Sequence, residues 1–330
     1  MSMTDTAASR TKDADAGAGK IDVHFHLIPD FYREAVYAAG KGPAIGRYPD
    51  WSPALALDIM DRHGIAVALT SVAQPGVQFL DKPAALKLAR QCNDYAADLN
   101  QQWPQRFGAF GLVPMHDIEA ALAEARYCLE ELKFEGICLF ASYGEKFLGD
   151  PFYEPLLAYL DTRRAPVFIH PVLHPTSLTL DLPWPGFMVE YVFDTTRAAV
   201  NLLFSGTLER LPHIPFILPH AGGTLPYLAW RLSVSPMIDK RLRPMSRDEV
   251  MQGLAHFWYD DALSCGPAAM GALKAVAAPE RIVFGSDWPF ANESVVAEEI
   301  KDFVSPDLLT DAERRRIARD NALALFPGRA

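Results

Sequence analysis

Short apolar runs recur along the chain and are separated by longer segments with a different periodicity. Each run is bounded by Gly, Pro or polar residues, which is typical of a buried β-strand. The eight runs are IDVHFH (21–26), IAVALTSVA (65–73), FGAFGLV (107–113), EGICLFA (135–141), PVFIH (166–170), IPFILPH (214–220), WYDDA (258–262) and RIVFGSD (281–287). The pattern therefore predicts eight strands.

The segments between these runs place apolar residues at helical spacing, with charged residues on the opposite face. Two such faces are Leu88, Cys92, Tyr95 and Leu99, and Ile118, Leu122, Ala125, Leu129 and Leu132. Strand and helix thus alternate, which predicts an α/β protein with a parallel sheet. Eight strands in a chain of this length favour closure into a (β/α)8 TIM barrel, and an open doubly wound sheet is the competing architecture.

The chain divides into a short tail and one long domain. Residues 1–20 are small and polar and predict a flexible tail, whereas residues 21–330 predict a single barrel domain. Two segments, 29–55 and 171–195, are too long for ordinary connections. They follow the first and fifth predicted strands at their C-terminal ends, where barrel active sites are built.

Composition narrows the class of protein further. The chain has 330 residues, is 50% hydrophobic and has a formal net charge of -10, which argues against nucleic acid or an anionic membrane as a partner. Its four cysteines contain no CxxC pair, and no apolar stretch is as long as a membrane span. These features predict a cytoplasmic protein that acts on a small molecule.

Histidine and aspartate side chains lie at the ends of several predicted strands. His24 and His26 are two residues apart, so both side chains point to the same side of a strand. His170, His220 and Asp287 close the fifth, sixth and eighth runs. An HxH pair alone is equally well explained by packing, but a barrel brings all five residues to one end. The set therefore predicts a metal site.

The motifs around these residues resemble the amidohydrolase superfamily. They occur in the order HxH, HP after the fifth strand, HAGG after the sixth and GSDWPF after the eighth. The segments LPW (182–184) and SGTLERLP (205–212) are similar to the branch of aminocarboxymuconate-semialdehyde decarboxylase. The opening segments IDVHFHLIPDFYREA, YPDWSP and IMDRHGIAVALTSVAQPG are most similar to the 6-methylsalicylate decarboxylase subgroup. The resemblance extends from Ile21 to the C-terminal NALALF.

This resemblance implies a mononuclear metal site. Its ligands would be His24, His26, His170 and Asp287. Binuclear members carry a carbamylated lysine at the end of the fourth strand, and EGICLFAS has none. The ion would be Zn²⁺ or Mn²⁺, between which this ligand set does not choose. His220 would be a catalytic residue beside the ion, and either Asp260 or Asp261 is a candidate to orient a ligand histidine.

The resemblance also implies residues that contact the substrate. Arg231, eleven residues after His220, matches an arginine that binds the substrate carboxylate and sometimes reaches into a neighbouring subunit, which implies a homodimer. A solvated helix arginine is the ordinary alternative for Arg231. The remaining predicted substrate contacts are Arg47, a second anion-binding group, Trp184 and Phe290, which would flank a planar ring, and His174.

The predicted activity is metal-dependent, non-oxidative decarboxylation of a hydroxybenzoate-type or related unsaturated carboxylic acid. Either His220 or a protonated Asp287 would deliver the proton to carbon. The same site would also suit hydrolysis of a lactone, ester or amide, or hydration, because the fold and ligands are common to these chemistries. A catalytically silent binding protein is a further alternative. Product mass distinguishes them, since decarboxylation loses carbon dioxide and the others add water.

Overall fold

The computed structural model describes residues 19–179, 183–305 and 307–329. Eight strands form one parallel sheet in the order β1-β2-β3-β4-β7-β8-β9-β10, while β5 and β6 form an antiparallel hairpin. The strands are β1 (Lys20–His26), β2 (Ile65–Ser71), β3 (Phe107–Leu112), β4 (Gly136–Phe140), β5 (Ser142–Tyr143), β6 (Lys146–Phe147), β7 (Val167–His170), β8 (Phe216–Leu218), β9 (Trp258–Asp260) and β10 (Ile282–Val283).

Helices surround the sheet. Within the described residues they are α1 (Asp30–Ala38), α2 (Pro53–His63), α3 (Lys82–Gln102), α4 (Ile118–Arg126), α5 (Glu154–Arg163), α6 (Glu190–Phe204), α7 (Thr207–Arg210), α8 (Leu225–Ile238), α9 (Arg247–His256), α10 (Pro267–Lys274), α11 (Glu293–Phe303), α12 (Asp311–Arg315) and α13 (Asn321–Leu325). Single π-helical turns, Tyr127–Glu131 and Arg316–Asp320, extend α4 and α12. No helix in the described part of the chain combines the length and apolarity needed to cross a membrane.

Polar side chains fix where several of these helices begin. The side chains of Ser52, Asp81 and Asp117 accept hydrogen bonds from backbone N–H groups in the first turns of α2, α3 and α4. Each such cap contributes about 1 kcal/mol to helix stability. Helix α2 ends at Gly64, whose φ of 64° is a left-handed conformation that glycine adopts without a Cβ penalty. The chain therefore turns directly into β2.

The barrel closes between β10 and β1 through a few backbone hydrogen bonds. Val23 N donates to Phe284 O at 2.9 Å, His26 N donates to Trp288 O at 2.8 Å, and Asp287 N donates to His24 O at 2.8 Å. The Phe25 and Trp288 rings stack over this seam, with their centroids 4.8 Å apart. Closure therefore brings the segment after β10 directly against the histidines of β1.

Two apolar clusters stabilise the barrel. The larger one lies between the strands and the helices, and the smaller one fills the barrel interior. In the interior, the Phe110 and Phe168 rings stack with centroids 5.3 Å apart, and Phe326, just after α13, packs against them. Truncating a buried phenylalanine such as Phe168 to alanine costs about 3–5 kcal/mol.

The predicted architecture is confirmed, and the open doubly wound sheet is excluded. Each predicted run contains one barrel strand, although β8 and β10 are shorter than their runs. The strand β1 begins at Lys20, one residue before the predicted domain start, and residues 1–18 of the predicted tail lie outside the described residues. The predicted long loop at 29–55 requires correction, because α1 and the start of α2 occupy much of it. Helix α1 forms there because Tyr32 and Val36 are buried on one of its faces.

Candidate metal centre

A bulge in β1 directs its two histidines to the upper end of the barrel. Between Asp22 and Phe25, β1 advances three residues while its partner β2 advances two, from Ala68 to Thr70. Ile21 and Val23 pack in the barrel interior, whereas Phe25 packs outside against the helices. The extra residue changes the alternation of side chains. His24 and His26 therefore share a site, with ring centroids 5.0 Å apart.

Each ligand histidine is oriented by an acceptor at its Nδ1 atom. His24 Nδ1 lies 2.8 Å from Asp260 Oδ2, His26 Nδ1 lies 3.3 Å from Ser71 O, and His170 Nδ1 lies 2.8 Å from Pro171 O. Carboxylate and carbonyl oxygens only accept hydrogen bonds, so they assign the proton to Nδ1 in each ring. The Nε2 lone pair of each ring is then available to bind a metal ion.

These histidines converge with Asp287 on one point. The candidate ligand atoms of His24, His26, His170 and Asp287 all lie within 4.8 Å of one another, and all four residues are buried. His26 Nε2 is 2.9 Å from Asp287 Oδ1, while the buried His24 Nε2 has no hydrogen-bond partner. Facing lone pairs at these distances need a cation between them. The donor set therefore fits one divalent metal ion.

Asp287 is held by backbone geometry as well as by its neighbours. Its φ of 55° lies in the left-handed region, which is uncommon for a residue other than glycine, and its N–H donates to His24 O. Next to it, Ser286 N donates to the buried Asp22 carboxylate at 3.2 Å. Strained backbone of this kind persists where surrounding structure holds it, and it is common at functional sites.

The charges in the metal-free centre are set by burial and by the neighbouring groups. Burial opposes charge on His24, but the carboxylates of Asp260 and Asp287 outweigh it and raise the pKa of His24 to about 10. Burial lowers the pKa of His26 and of His170. Burial alone would raise the pKa of Asp287, yet the surrounding histidines hold it well below its usual range. Asp287 is thus an anion facing two neutral imidazoles.

His220 lies beside this centre on a sharply turned segment. His220, Ala221, Gly222 and Gly223 all have positive φ. A Cβ at Gly223 would lie 2.1 Å from Val192 O, so only glycine fits there. This turn places His220 Nε2 3.7 Å from Asp287 Oδ2, and its buried Nδ1 has no hydrogen-bond partner in the described structure.

Asp260 connects His220 to the metal ligands. One carboxylate oxygen faces His24 Nδ1, and the other accepts from His220 N at 2.8 Å and from Ala262 N at 3.1 Å. The sequence left Asp260 and Asp261 as alternatives for such an orienting role. The structure confirms Asp260, because the Asp261 carboxylate instead accepts from Gly285 N.

A cavity of about 490 Å³ opens above the centre. His170, His220 and Asp287 form part of its lining, and most of the remaining lining is apolar. Its other lining residues are Pro43, Ala44, Ile45, Ala73, Gln74, Phe187, Met188, Tyr191, Val192, Leu263, Ser264, Phe290, Ala291, Asn292 and Val295. A site with a polar centre and apolar sides of this kind suits a small, planar, partly apolar ligand.

The predicted substrate-contacting residues are divided between this cavity and other places. Phe290 lines the cavity, with its ring edge-on to His26 at 5.2 Å. Arg47, Trp184 and Arg231 are exposed and do not contribute to the lining within one chain. Leu182 of the LPW motif lies outside the described residues.

His174 also lies outside the cavity lining, contrary to its predicted contact with substrate. Its ring stacks on Phe147 at 5.0 Å, and its Nδ1 is 2.8 Å from Thr176 Oγ1. His174 follows Pro171 in an irregular segment, so its side chain does not continue the direction of His170. It therefore packs the loop rather than the site.

Sequence reasoning missed two polar lining residues, Gln74 and Tyr191. Gln74 follows β2 and Tyr191 begins α6, and both types of residue are common in loops and helices. The sequence gave no spacing or motif that distinguishes them. Only the closed barrel, which places both above the metal centre, shows their position.

The barrel and the three-histidine, one-aspartate centre define a metal-dependent enzyme of the barrel type. A family model described as Amidohydrolase matches residues 21–328, and the chain therefore belongs to the amidohydrolase family. The family and branch predicted from the motifs are thus confirmed.

The most similar curated relatives include two fungal enzymes. The chain is 38% identical over 320 residues to a 6-methylsalicylic acid decarboxylase of Aspergillus aculeatus, covering 93% of this chain and 96% of that protein. It is 37% identical over 313 residues to the 6-methylsalicylic acid decarboxylase of Penicillium expansum, with coverage of 93% and 96%. Among solved structures, 2,6-dihydroxybenzoate decarboxylase complexed with 2,6-dihydroxybenzoate matches with a TM-score of 0.78 and 26% identity, covering 94% of this chain and 99% of that one.

Proposed function

We propose that this protein is a metal-dependent, non-oxidative decarboxylase whose substrate is 6-methylsalicylate or a similar ortho-hydroxybenzoate. The observation that carries the proposal is the convergence of four metal ligands and His220 beneath one apolar cavity. It occurs in a chain that is 38% identical, over most of its length, to a 6-methylsalicylic acid decarboxylase. The predicted carboxy-lyase class is thereby kept, and the hydrolase alternative has no observation of its own.

The metal ion in this proposal is Zn²⁺ or Mn²⁺, held by His24, His26, His170 and Asp287. Imidazole and carboxylate ligands suit both ions. When bound, the ion supplies positive charge that attracts the oxygens of the acid and stabilises the negative charge of the reacting carboxylate. The residues around it supply the orientation and the proton.

His220 is the proton donor in this proposal. Its ring lines the cavity, whereas Asp287 is committed to the ligand set by its contacts with His24 and His26. The ring carbon that bears the carboxylate takes a proton from His220. The bond to the carboxylate then breaks, its electron pair returns to the ring, and carbon dioxide leaves. Asp260 positions His220 by accepting its backbone N–H.

The apolar lining suits an aromatic acid with an alkyl substituent. Phe290 stands edge-on to His26, and Ile45, Val192 and Leu263 add aliphatic surface. Burial of one methyl-sized group in such a wall contributes about 0.8 kcal/mol to binding. A methyl group on the ring is therefore better accommodated than a second charged group.

We further propose a homodimer that joins through one face of α8. Tyr227, Trp230 and Ile238 on this helix are 84%, 68% and 79% exposed, which is unusual for large apolar side chains. Arg231 lies between them and is exposed as well. In the dimer, Arg231 reaches the partner's cavity and binds the substrate carboxylate.

Arg47 and Trp184 complete the site in the same proposal. Both are exposed on segments that follow β1 and β7, and Ile45 and Phe187 of these segments line the cavity. Pairing of two copies and binding of the acid would enclose both residues. We also place the enzyme in the cytoplasm, because Cys92, Cys128, Cys138 and Cys265 are all buried free thiols.

The activity is tested by mass spectrometry of the purified protein loaded separately with Zn²⁺ and Mn²⁺. Incubation with 6-methylsalicylate is expected to yield 3-methylphenol and carbon dioxide. Substituted salicylates and small lactones are tested in parallel. Addition of water to any of these compounds, without loss of carbon dioxide, would overturn the proposal in favour of a hydrolase or hydratase.

The dimer is tested with Trp230→Glu, which places a charge in the proposed interface. We expect the native protein to have the mass of a dimer by light scattering and the variant that of a monomer, with a raised KM. Val304→Glu is the control, because Val304 is 52% exposed at the end of α11, away from α8. A monomeric native protein, or a variant that remains dimeric, would contradict the proposal.

A further inference from the structure

Tyr191 presents a hydroxyl group that the protein itself does not use. Its side chain lines the cavity, and its ring packs against the ligand His170 with centroids 6.1 Å apart. Among the described residues, no hydrogen bond involves the Tyr191 hydroxyl, although burial and the Asp287 charge raise its pKa and keep it protonated. A buried tyrosine hydroxyl normally finds a partner. Its partner is therefore expected to be a ligand in the cavity.

Gln74 is the second polar side chain in this position. Its Oε1 atom accepts a hydrogen bond from Leu173 N at 2.5 Å, which joins the loop after β2 to the loop that follows His170. This bond fixes the amide orientation. The two hydrogens on Nε2 have no acceptor among the described residues, and Gln74 lines the cavity. Gln74 is thus anchored at its oxygen and free at its nitrogen.

The cavity contains no cationic side chain of its own chain. None of the described residues that line it is lysine or arginine, while Asp287 is acidic. Beyond the metal ion, an anionic ligand must be recognised by neutral donors or by groups from outside this chain. Gln74 and Tyr191 are neutral donors already directed at the space above the ligand histidines.

We propose that Gln74 and Tyr191 bind the two oxygen substituents of the substrate and set its orientation. The inference rests on the proposed function. With its oxygen engaged by Leu173, the Gln74 amide offers only N–H donors, which match a carboxylate that only accepts. A phenol both donates and accepts, which matches a ring hydroxyl that does the same. Gln74 therefore binds the carboxylate, and Tyr191 binds the hydroxyl ortho to it.

Tyr191→Phe tests the second contact, because the hydroxyl has no role in folding. Dissociation constants for 6-methylsalicylate and for 2-methylbenzoate, which lacks the hydroxyl, are measured by calorimetry with metal-loaded protein of verified metal content. We expect about a tenfold weaker affinity for 6-methylsalicylate, and less than a twofold change for 2-methylbenzoate. Equal losses for both acids, or none, would overturn the assignment of Tyr191.

The matched control is Tyr153→Phe. The Tyr153 hydroxyl donates to Lys146 O at 2.9 Å and lies outside the cavity lining. Its loss is expected to lower the melting temperature without changing the preference for 6-methylsalicylate over 2-methylbenzoate. If this control changed the preference as much as Tyr191→Phe, a general structural effect would explain both results and the inference would fail.

Gln74→Glu tests the first contact. The carboxylate can still accept from Leu173 N, but it replaces the N–H donors with negative charge. We expect both acids to bind at least about tenfold more weakly, while 3-methylphenol, the product without a carboxylate, binds within about twofold of the native affinity. A parallel loss for 3-methylphenol would show that the substitution had damaged the cavity and would overturn the assignment.

The binding experiments separate failure of this inference from failure of the proposed function. If the native protein binds 6-methylsalicylate but releases no carbon dioxide, the proposed reaction fails, and the two variants still decide which side chain binds which oxygen. If the native protein releases carbon dioxide and both variants keep native dissociation constants and KM, the reaction stands and the two contacts are wrong.

Discussion

The metal centre and the wall of the cavity above it are built in different ways. In the centre, His24, His26 and His170 are buried, and each has an acceptor at Nδ1 that orients its ring. The cavity wall, defined as residues 43–45 and 187–192, belongs to segments outside the barrel strands. Its side chains are largely apolar, and Ile45 and Met188 are 39% and 58% exposed.

This difference assigns separate tasks to the two regions. Hydrogen bonds fix the ligand atoms of the centre, so small changes there should alter metal binding and the reaction. The wall depends on apolar contacts in irregular segments, so changes there should alter which acid binds. The chemistry of the family thus resides in the strand ends, and substrate preference resides in the segments that follow them.

The largest effect is expected from removal of a metal ligand. Asp287→Asn should lose the bound ion and lower the rate of decarboxylation by roughly four orders of magnitude, because the ion contributes several kcal/mol to charge stabilisation. Metal content by mass spectrometry and product formation measure the two effects. A variant that retained a full complement of metal would show that Asp287 is not a ligand and would break the comparison at the centre.

Removal of the proton donor should have the next largest effect. His220→Ala is expected to keep its metal and to lower kcat by about two to four orders of magnitude, as losses of general acids do. His220→Asn is a second variant, since asparagine tolerates the φ of 55° at this position. Metal content and kcat are measured for both. An unchanged kcat would remove His220 from the mechanism.

Loss of the carboxylate that orients His24 should have an intermediate effect. In Asp260→Asn, an amide N–H₂ would face His24 Nδ1–H, which disfavours the tautomer that binds metal. The metal affinity should fall about 10- to 100-fold, measured by competition with a chelator.

The neighbouring Asp261→Asn is the control for this substitution. Asp261 is buried, burial raises its pKa, and its carboxylate accepts from Gly285 N, an interaction that asparagine preserves. An equal loss of metal affinity in both variants would indicate a general effect of this region rather than orientation of His24.

The smallest effect concerns Glu299, a buried residue of α11 that accepts from Leu263 N beside the cavity. Burial, reinforced by the carboxylates of Asp261, Asp287 and Asp22, raises the pKa of Glu299 from 4.5 to about 9. The unfolded chain loses this proton near its ordinary pKa, whereas the folded chain keeps it. Between about pH 4.5 and 9 the folded state binds more protons, so the free energy of unfolding falls as pH rises.

Glu299→Gln should remove this dependence. The variant is expected to be more stable than the native protein at pH 8 by on the order of 2 kcal/mol, and to match it near pH 4.5. Urea unfolding at several pH values measures this. Glu298→Gln is the control, because Glu298 is exposed on the same helix and pairs with Lys301 at 2.8 Å. A native stability that rises between pH 5 and 8, with no change in the variant, would contradict the prediction.

Much of the fold and of the centre was predictable from local patterns. The eight apolar runs correspond to the barrel strands, and the residues at their ends include all four ligands. The bulge in β1 was not predictable, because it depends on the register between β1 and β2. Simple i, i+2 alternation placed His24 and His26 together correctly, but it did not predict that Ile21 and Val23 would also pack inside the barrel.

The cavity wall was harder to predict for the same reason. Gln74 is fixed by Leu173, a residue 99 positions away, and Tyr191 by its place beside His170. Arg47, Trp184 and His174 were chosen by resemblance, yet within one chain none of them lines the cavity. Irregular segments have no periodicity from which side-chain directions can be read.

The sequence alone determined the barrel, its family and the ligands at the strand ends, because strand periodicity and strand-end position are local properties that closure preserves. Only the tertiary structure decided that Asp260 rather than Asp261 orients the site, that His174 packs away from it, and that Gln74 and Tyr191 face it. These outcomes depend on contacts between residues far apart in the chain, and such contacts exist only once the barrel has closed.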